Sequence, residues 1–308
     1  MNKIKIIFFG THNFAETILR GLIDSPLFDI KLVITQPDKA VGRKKELISP
    51  PVKILATKNK IKVEQPATLK NYKIENSKYD LGITAQYGLL IPENILNTPI
   101  HGTLNIHTSL LPKYRGASPI QSAIINGETK TGVTIIKMDK GLDTGPILLQ
   151  KELNIAPDET YIDIDQKLAK IGIFALLEAV SDYVSGKLQP KEQNNSQAST
   201  CRQFTRDDGQ IDWKKTAQEI YNQYRGLTPW PGIWTTWQDK RIKLLKIKPD
   251  TNINDLQPGE VNIIDKQIFV GTGKNAIKIL ELQLEGKPVA TAKNFINGHS
   301  KINGDILE

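Results

Sequence analysis

The run IKIIFFG (Ile4 to Gly10) places apolar side chains at consecutive positions instead of alternate ones, as in a strand covered on both faces. Such a strand needs helices above and below its sheet, and the chain supplies them in order. An amphipathic stretch from Phe14 to Ile23 follows, then the strand DIKLVITQ, a helical VKILATKN and a short strand in IKVEQP. YDLGITAQYG and TLNIHTSLLP give two further strands. GVTIIKMD and GPILLQKELNI read as an antiparallel pair, and Ile162 to Val184 as a long helix. This alternation predicts an α/β architecture with a doubly wound, mostly parallel, Rossmann-like sheet.

The pattern then changes. LQPKEQNNSQASTCRQF (Leu188 to Phe204) is polar and aperiodic, which reads as a linker. After it, DWKKTAQEIYNQYRGL predicts one helix with Asp212 as its N-cap. Short strands follow in IWTTWQ, RIKLLKIK, GEVNIID, QIFVGTG and AIKILELQLEG, the spacing of a small, OB-like β-barrel. Trp230 and Trp234, beside prolines, are expected in its core. The expected division is a first domain over 1–189, a linker over 190–206 and a barrel over 207–308, consistent with the length of 308 residues.

The apolar run at the N-terminus is too short for a secretory signal, and no segment approaches the roughly 20 apolar residues of a membrane helix. With the single Cys201, these features point to a cytoplasmic protein without a disulfide framework. The net charge is +8, and its distribution is uneven. Lys39, Arg43, Lys44, Lys45, Lys53, Lys58, Lys60 and Lys62 crowd one segment against only Asp38 and Glu46, and RIKLLKIK forms a second basic cluster. Solvated faces and a polyanionic partner both fit this pattern. Gln36 to Lys53 also holds Pro37, Gly42, Pro50 and Pro51, too many turn-formers for a helix or a continuous strand.

The first strand ends in GTHNFA, without the glycines of a dinucleotide site, and no phosphate-cradling P-loop is present. Asp143-Thr144-Gly145 has no second copy with which to share a proton, which excludes aspartic-protease chemistry. The four histidines show no H-x-x-x-H pairing, so no metal site is expected. The informative block is NIHTSLLPKYRGASPIQSAIINGETKTGVTIIKMDKGLDTGPIL (Asn105 to Leu148). Asn105 and His107 are two apart on a strand and so face one way. Spacing alone leaves two readings: a ligand-facing pair at the end of a sheet strand, or a satisfied core histidine beside an asparagine capping a turn.

The block resembles the signature of the folate-dependent formyltransferases: Asn-x-His, then SLLPxxRGxxP, then an Asp in a DxGxI-like turn. The resemblance implies that Asn105, His107 and Asp143 are the catalytic trio, and that Ser109, Leu110, Leu111 and Pro112 contact folate. It extends along nearly the whole chain. TQPDKAVGRKKELISPPVK (Thr35 to Lys53) resembles the basic loop by which the tRNA-acting members approach the acceptor stem, which implies tRNA contacts for Lys39, Arg43, Lys44 and Lys45. GKLQPKEQNNSQAS, IDW with RGLTPWPGIWT, and the closing LELQLEGK and FINGH are also similar to those members. One departure stands out: where the family reads like ATYAPKL, this chain has Ser199-Thr200-Cys201-Arg202-Gln203-Phe204, so Arg202 or Arg206 must replace the family's lysine if its charge is needed.

The implied reaction moves a formyl group from 10-formyltetrahydrofolate, as co-substrate, to the amino group of methionine on initiator tRNA. It needs donors aimed at a developing oxyanion and a route for the amine proton. Asn105 and His107 are expected to donate, and Asp143 to orient His107 or take the proton, with no metal. AQYGLLIPENIL (Ala85 to Leu96) supplies Tyr87, Gly88 and Leu89 as an apolar loop for the folate ring, with ordinary strand-to-helix packing as the alternative. Pro112 and Gly116 are expected to fix the turn beneath the site, and Arg115 to pair with a buried carboxylate. Three other functions share the motifs: formyl transfer to an amino sugar nucleotide, formyl transfer to glycinamide ribonucleotide, and an RNA-binding module on an inactive core. No obligatory protein partner is expected.

Overall fold

The computed structural model describes residues 3–42, 45–75 and 78–308, and the chain divides into two compact units. The first unit runs to Pro119 and includes Lys130–Asn154 and Asp165–Cys201. The second holds Ile120–Thr129, Ile155–Ile164 and Arg202–Glu308. The chain therefore crosses between units five times, and two segments from before residue 189 belong to the second unit. Helical and strand patterning does not carry this information.

In chain order the first part forms β1 (Ile4–Gly10), α1 (Asn13–Asp24), β2 (Phe28–Ile34), β3 (Lys39–Val41), β4 (Glu46–Ile48), α2 (Pro51–Lys58), β5 (Val63–Glu64), β6 (Leu81–Ala85), α3 (Glu93–Leu96), β7 (Thr103–His107), β8 (Arg115–Gly116), α4 (Pro119–Ile125), β9 (Lys130–Lys137), β10 (Ile147–Asn154), α5 (Tyr161–Val184) and β11 (Thr200–Cys201). Seven strands make one sheet in the order β10-β9-β7-β6-β1-β2-β5. β5, β2, β1, β6 and β7 run parallel, and β9 and β10 complete the sheet as an antiparallel edge. Ile6, Ile7, Phe8 and Phe9 are fully buried, as a strand covered on both faces requires. α1 covers its part of the sheet with Phe14, Ala15, Ile18, Leu19 and Leu22, a stripe at helical spacing. The chain leaves β1 for β2 on one side, and β6 returns on the other. The crevice at the carboxyl ends of β1 and β6 is where ligands bind in such sheets.

Between β2 and α2 the basic segment is more ordered than its turn-formers suggest. β3 and β4 pair as a hairpin, with Lys39 opposite Ile48 and Val41 opposite Glu46. Each strand is only three residues long, too short to show as alternation among the prolines and glycine. Lys53 lies in α2, which starts at Pro51, where proline's missing N–H costs nothing.

The second unit continues with α6 (Ala217–Leu227), β12 (Ile233–Trp237), β13 (Lys240–Asp250), β14 (Val261–Ile264), β15 (Gln267–Gly271), β16 (Ala276–Leu284), β17 (Ala290–Thr291) and α7 (Ala292–Gly298). The antiparallel order is β12-β13-β16-β15-β14, with β17 on β16. Residues 304–308 join the two edges. Val261 N donates to Asp305 O and Leu307 N to Gly259 O on the β14 side, while Thr236 and Glu308 exchange both backbone hydrogen bonds on the β12 side. The sheet thereby closes into a ring around Ile242, Leu244, Ile247, Ile277, Ile279 and Leu282, with Ile220 and Tyr221 of α6 packed against them.

Two local expectations are corrected here. α6 is capped by Thr216, not Asp212: Thr216 Oγ1 accepts from Glu219 N and Glu219 Oε2 accepts from Thr216 N, a reciprocal capping box. Asp212 instead accepts from Lys214 N in a turn before the helix. Of the two tryptophans assigned to the core, Trp234 is buried but Trp230 is 51% exposed. Proline neighbours mark the loop and say nothing of which way its ring points.

Candidate active site

β7 delivers Asn105 and His107 with Ile106 between them on the opposite face, so both polar side chains share one surface. The turn after β9 brings Asp143 to the same place. Asn105 Nδ2 donates to Asp143 Oδ1 at 3.3 Å, and His107 Nδ1 lies 3.5 Å from Asp143 Oδ2. The other ring nitrogen, Nε2, is 3.0 Å from the Tyr114 carbonyl oxygen. A carbonyl only accepts, so Nε2 can bond it only as a donor, and Nδ1 likewise faces an acceptor in the carboxylate. Both nitrogens of His107 thus face protein groups, while Asn105 keeps a second N–H beyond the one given to Asp143.

Asp143 is held in an uncommon conformation. Its φ is 54°, in the left-handed region that a residue with a Cβ adopts at a cost. Gly116 N donates to its Oδ2 at 2.8 Å, and Gln193 Nε2 donates to its backbone carbonyl. Thr144 and Gly141, on either side, bond the Asp139 carboxylate and tighten the turn. A Cβ on Gly145 would overlap the Lys137 carbonyl oxygen, so the turn can lie against the end of β9 only with glycine there.

The SLLP stretch is more internal than a folate-contacting strip suggests. Ser109 is fully buried, its hydroxyl donating to Lys113 O, and Leu111 is buried as well. Thr134 and Gln150 hold this turn: Leu111 N donates to Thr134 Oγ1, Thr134 Oγ1 to Ser109 O, and Gln150 Nε2 to Leu111 O. Leu110 and Pro112 are half-buried. Arg115 is buried, but among the described residues no buried carboxylate answers it. Its Nε and Nη2 donate to Gln193 Oε1 and Nη2 also to Asn195 Oδ1, two carboxamides from the polar stretch read as a linker.

At the crevice, Thr11 Oγ1 and Gln36 Nε2 both donate to Tyr87 O, linking the ends of β1 and β2 to the loop after β6. Gly88 (φ 78°) and Leu89 follow, and Gly88 exposes its backbone. Tyr87 turns its ring into the core against Phe9, so only its backbone faces the loop. The Tyr87 hydroxyl has no hydrogen-bond partner among the described residues. Burial pushes its phenol up to about 12. With the folded value raised, its stabilising share is complete below pH ~10, the ordinary tyrosine range, and is lost as pH rises toward 12. The Tyr87→Phe protein is expected to denature less steeply across that window, with stability at pH 7 unchanged or slightly higher, as urea midpoints would show.

The basic hairpin is anchored beside this loop. Lys39 Nζ donates to Gln36 Oε1, and Asp38 is tied to Lys53, Gln65 and Ser49, which hold its carboxyl below the usual range, Gln65 first. Lys53 is thereby neutralised, as is Lys62 by Glu64. Lys39 and Lys45 are exposed, whereas Arg43 and Lys44 lie outside the described residues. β4 also exposes Leu47 and Ile48, apolar area that gains nothing from facing water.

The structure assembles Asn105, His107 and Asp143, and it adds two groups that sequence reasoning had not placed there. The Tyr114 carbonyl belongs to backbone and leaves no trace in side-chain pattern. Gln193 lies in a polar, aperiodic stretch, remote in sequence from every group it bonds.

The formyl transferase family model matches residues 2–180, and the model of the formyl transferase C-terminal domain matches residues 203–300. The methionyl-tRNA formyltransferase of Caldicellulosiruptor saccharolyticus is 40% identical over 310 residues, covering 98% of this chain and 99% of that protein. The methionyl-tRNA formyltransferase of Thermodesulfovibrio yellowstonii is 41% identical over 302 residues, covering 97% of this chain and 96% of that protein. Among solved structures, an N-formyltransferase from Helicobacter canadensis in complex with folinic acid and dTDP-3-aminofucose aligns with a TM-score of 0.68 at 20% identity. The match covers 90% of this chain and 98% of that one, and at such identity it speaks for the fold alone.

Proposed function

The chain belongs to the formyl transferase family, among its methionyl-tRNA formyltransferases, and from that premise we infer that it formylates the α-amino group of methionine on initiator tRNA, with 10-formyltetrahydrofolate as donor. The observation that carries this reading is the convergence of Asn105, His107 and Asp143 at one point beside the crevice loops.

The residues present suit the donor. The exposed backbone at Gly88, without a side chain over it, and the half-buried Leu89, Leu110 and Pro112 suit a flat, partly apolar ring. Tyr87, Ser109 and Leu111 support those groups from below. When bound, the folate supplies the formyl carbon and the nitrogen that departs from it.

The protein's share is electrostatic. The free N–H of Asn105 donates to the formyl oxygen as negative charge gathers there. His107 joins it by exchanging the Tyr114 carbonyl for that oxygen on Nε2, because hydrogen bonds in a free site re-form around substrate. Asp143 holds the imidazole in place and lies where it can receive the amine proton, directly or through a water. Catalysis is assigned to residues 1–189 together with the part of the 190–206 stretch that belongs to the first unit, up to Cys201, and tRNA engagement to 207–308 and to Lys39, Arg43, Lys44 and Lys45. The compartment is assigned as the cytoplasm, where charged initiator tRNA is made.

Incubation with labelled 10-formyltetrahydrofolate and charged initiator tRNA is expected to give label on the methionine. Transfer to an amino sugar nucleotide instead would overturn the reading. The hairpin is assigned a part in choosing the tRNA. Arg43→Ala is expected to lower kcat/KM mainly for the initiator, so that its advantage over elongator methionine tRNA shrinks. An equal loss on both tRNAs, with a salt slope flatter by about one unit, would mark Arg43 as a phosphate contact only.

A further inference from the structure

We infer that Gln193 is a positioning residue for the formyl-transfer reaction, holding the backbone of Asp143 so that its carboxylate meets Asn105 and His107. This rests on the reading of the trio given above. Gln193 is buried, and its carboxamide is fully used. Nε2 donates to Asp143 O at 2.8 Å and Gly145 O at 2.7 Å, and Oε1 accepts from Arg115 Nε at 3.1 Å and Nη2 at 2.7 Å.

Both N–H donors and both lone pairs are therefore spent. A guanidinium can only donate, so the oxygen of the amide must face Arg115 and the nitrogen must face the two carbonyls. Arg115 in turn is fixed by Asn195 Oδ1, and the irregular segment that carries Gln193 is fixed by Lys191, which exchanges both backbone bonds with Ile147. The stretch that reads as a linker is thus laced onto the turn that carries Asp143.

What Gln193 grips needs gripping. Asp143 sits at φ 54°, where a side chain is strained, and its tripeptide is closed at the other end by Gly145 against β9. Gln193 bridges the first and last carbonyls of that tripeptide, while Gly116 N holds the carboxylate head. Without the two amide donors, the carbonyls of this half-buried turn lose their partners, and the residue can relax toward ordinary φ. The carboxylate would then swing away from Asn105 and His107.

Gln193→Glu separates this role from general packing. It keeps the size and the acceptor for Arg115 but removes both donors to the turn. The expected result is a kcat lower by about 10-fold or more, with KM for both substrates within about two-fold and a thermal midpoint lowered by a few degrees only. In the Asp143→Ala background the same change is expected to add less than about two-fold in single-turnover assays, since no carboxylate remains to misplace. A wild-type kcat in Gln193→Glu, or full additivity with Asp143→Ala, would overturn the inference. If Gln193→Glu does not fold, Gln193→Met carries the same cycle. A readout free of activity is hydrogen exchange at the Gly116 amide, which donates to Asp143 and is expected to exchange at least ~10-fold faster in Gln193→Glu, with β1 amides unchanged. Unchanged Gly116 protection overturns the inference whatever acceptor the enzyme uses. Absence of formyl transfer to methionyl-tRNA by the unaltered enzyme counts against the functional reading alone.

Discussion

Replacing Asn105, His107 or Asp143 by alanine is expected to lower kcat at least ~100-fold for each, equivalent to about 2.7 kcal/mol or more of lost stabilisation. Asn105 brings, from β7, an N–H beyond the one it gives to Asp143. His107 is held between Tyr114 O and Asp143, so its removal takes away a donor and leaves the carboxylate facing a void. Asp143 is expected to show the broadest loss, because Asn105, His107 and the Gly116 amide all converge on it. tRNA affinity, measured by equilibrium binding, is expected to stay within about two-fold, since none of the three belongs to a basic patch. Because the residues act as a unit, the triple variant should lose much less than the product of the single losses. Near-normal turnover in any single variant would remove that residue from the chemistry.

Gly116→Ala is expected to damage both stability and turnover, although it adds only a methyl group. Gly116 has a φ of 121°, outside the range that L side chains adopt comfortably, and a Cβ there would overlap the Cys201 carbonyl oxygen of β11. The strand pair β8–β11 would have to part, and with it the Gly116 amide that holds the Asp143 carboxylate. The cost is expected to be about 2 kcal/mol or more in unfolding free energy, with kcat falling at least ~10-fold as the carboxylate loses its backbone donor. Denaturant unfolding and steady-state kinetics on the same preparation test this. A soluble variant with native stability and native kcat would show that the β8–β11 contact is dispensable.

Features written within one element were legible in the sequence. The consecutive apolar residues of β1, the antiparallel β9–β10 pair and the short strands of the ring each follow from periodicity. Asn105 and His107 could be paired by spacing, and the resemblance brought Asp143 to them. Features that depend on distant partners were hidden. Gln193 bonds Arg115, Asp143 and Gly145, and no local pattern marks an amide that will be buried. For the same reason the carboxylate expected opposite Arg115 was replaced by two carboxamides: the sequence shows that a guanidinium needs acceptors, without showing which. The basic segment concealed a hairpin because three-residue strands are shorter than the window in which alternation can be seen.

The interleaved units bear on any attempt to divide the chain. A fragment ending near residue 189 would keep the whole trio, yet it would carry Ile120–Thr129 and Ile155–Ile164 without the unit they pack in. In that unit, Tyr221 donates to Asp158, and Arg225 to the carbonyls of Ala156 and Glu159. The fragment would also lack Gln193, so poor turnover in it would not by itself show that the barrel engages tRNA.

The ring of the second unit has a consequence in time. Thr236 is synthesised early in that unit, and its backbone partner is Glu308. While the intervening residues emerge from the ribosome, β12 and β14 are the bare margins of an open sheet, the kind of surface on which strands of other molecules can pair. Sealing waits until residues 304–308 are free to reach both margins at once. A nascent chain halted before residue 304 would therefore present an open, adhesive sheet, which makes the emergence of those five residues the step that closes the unit on itself.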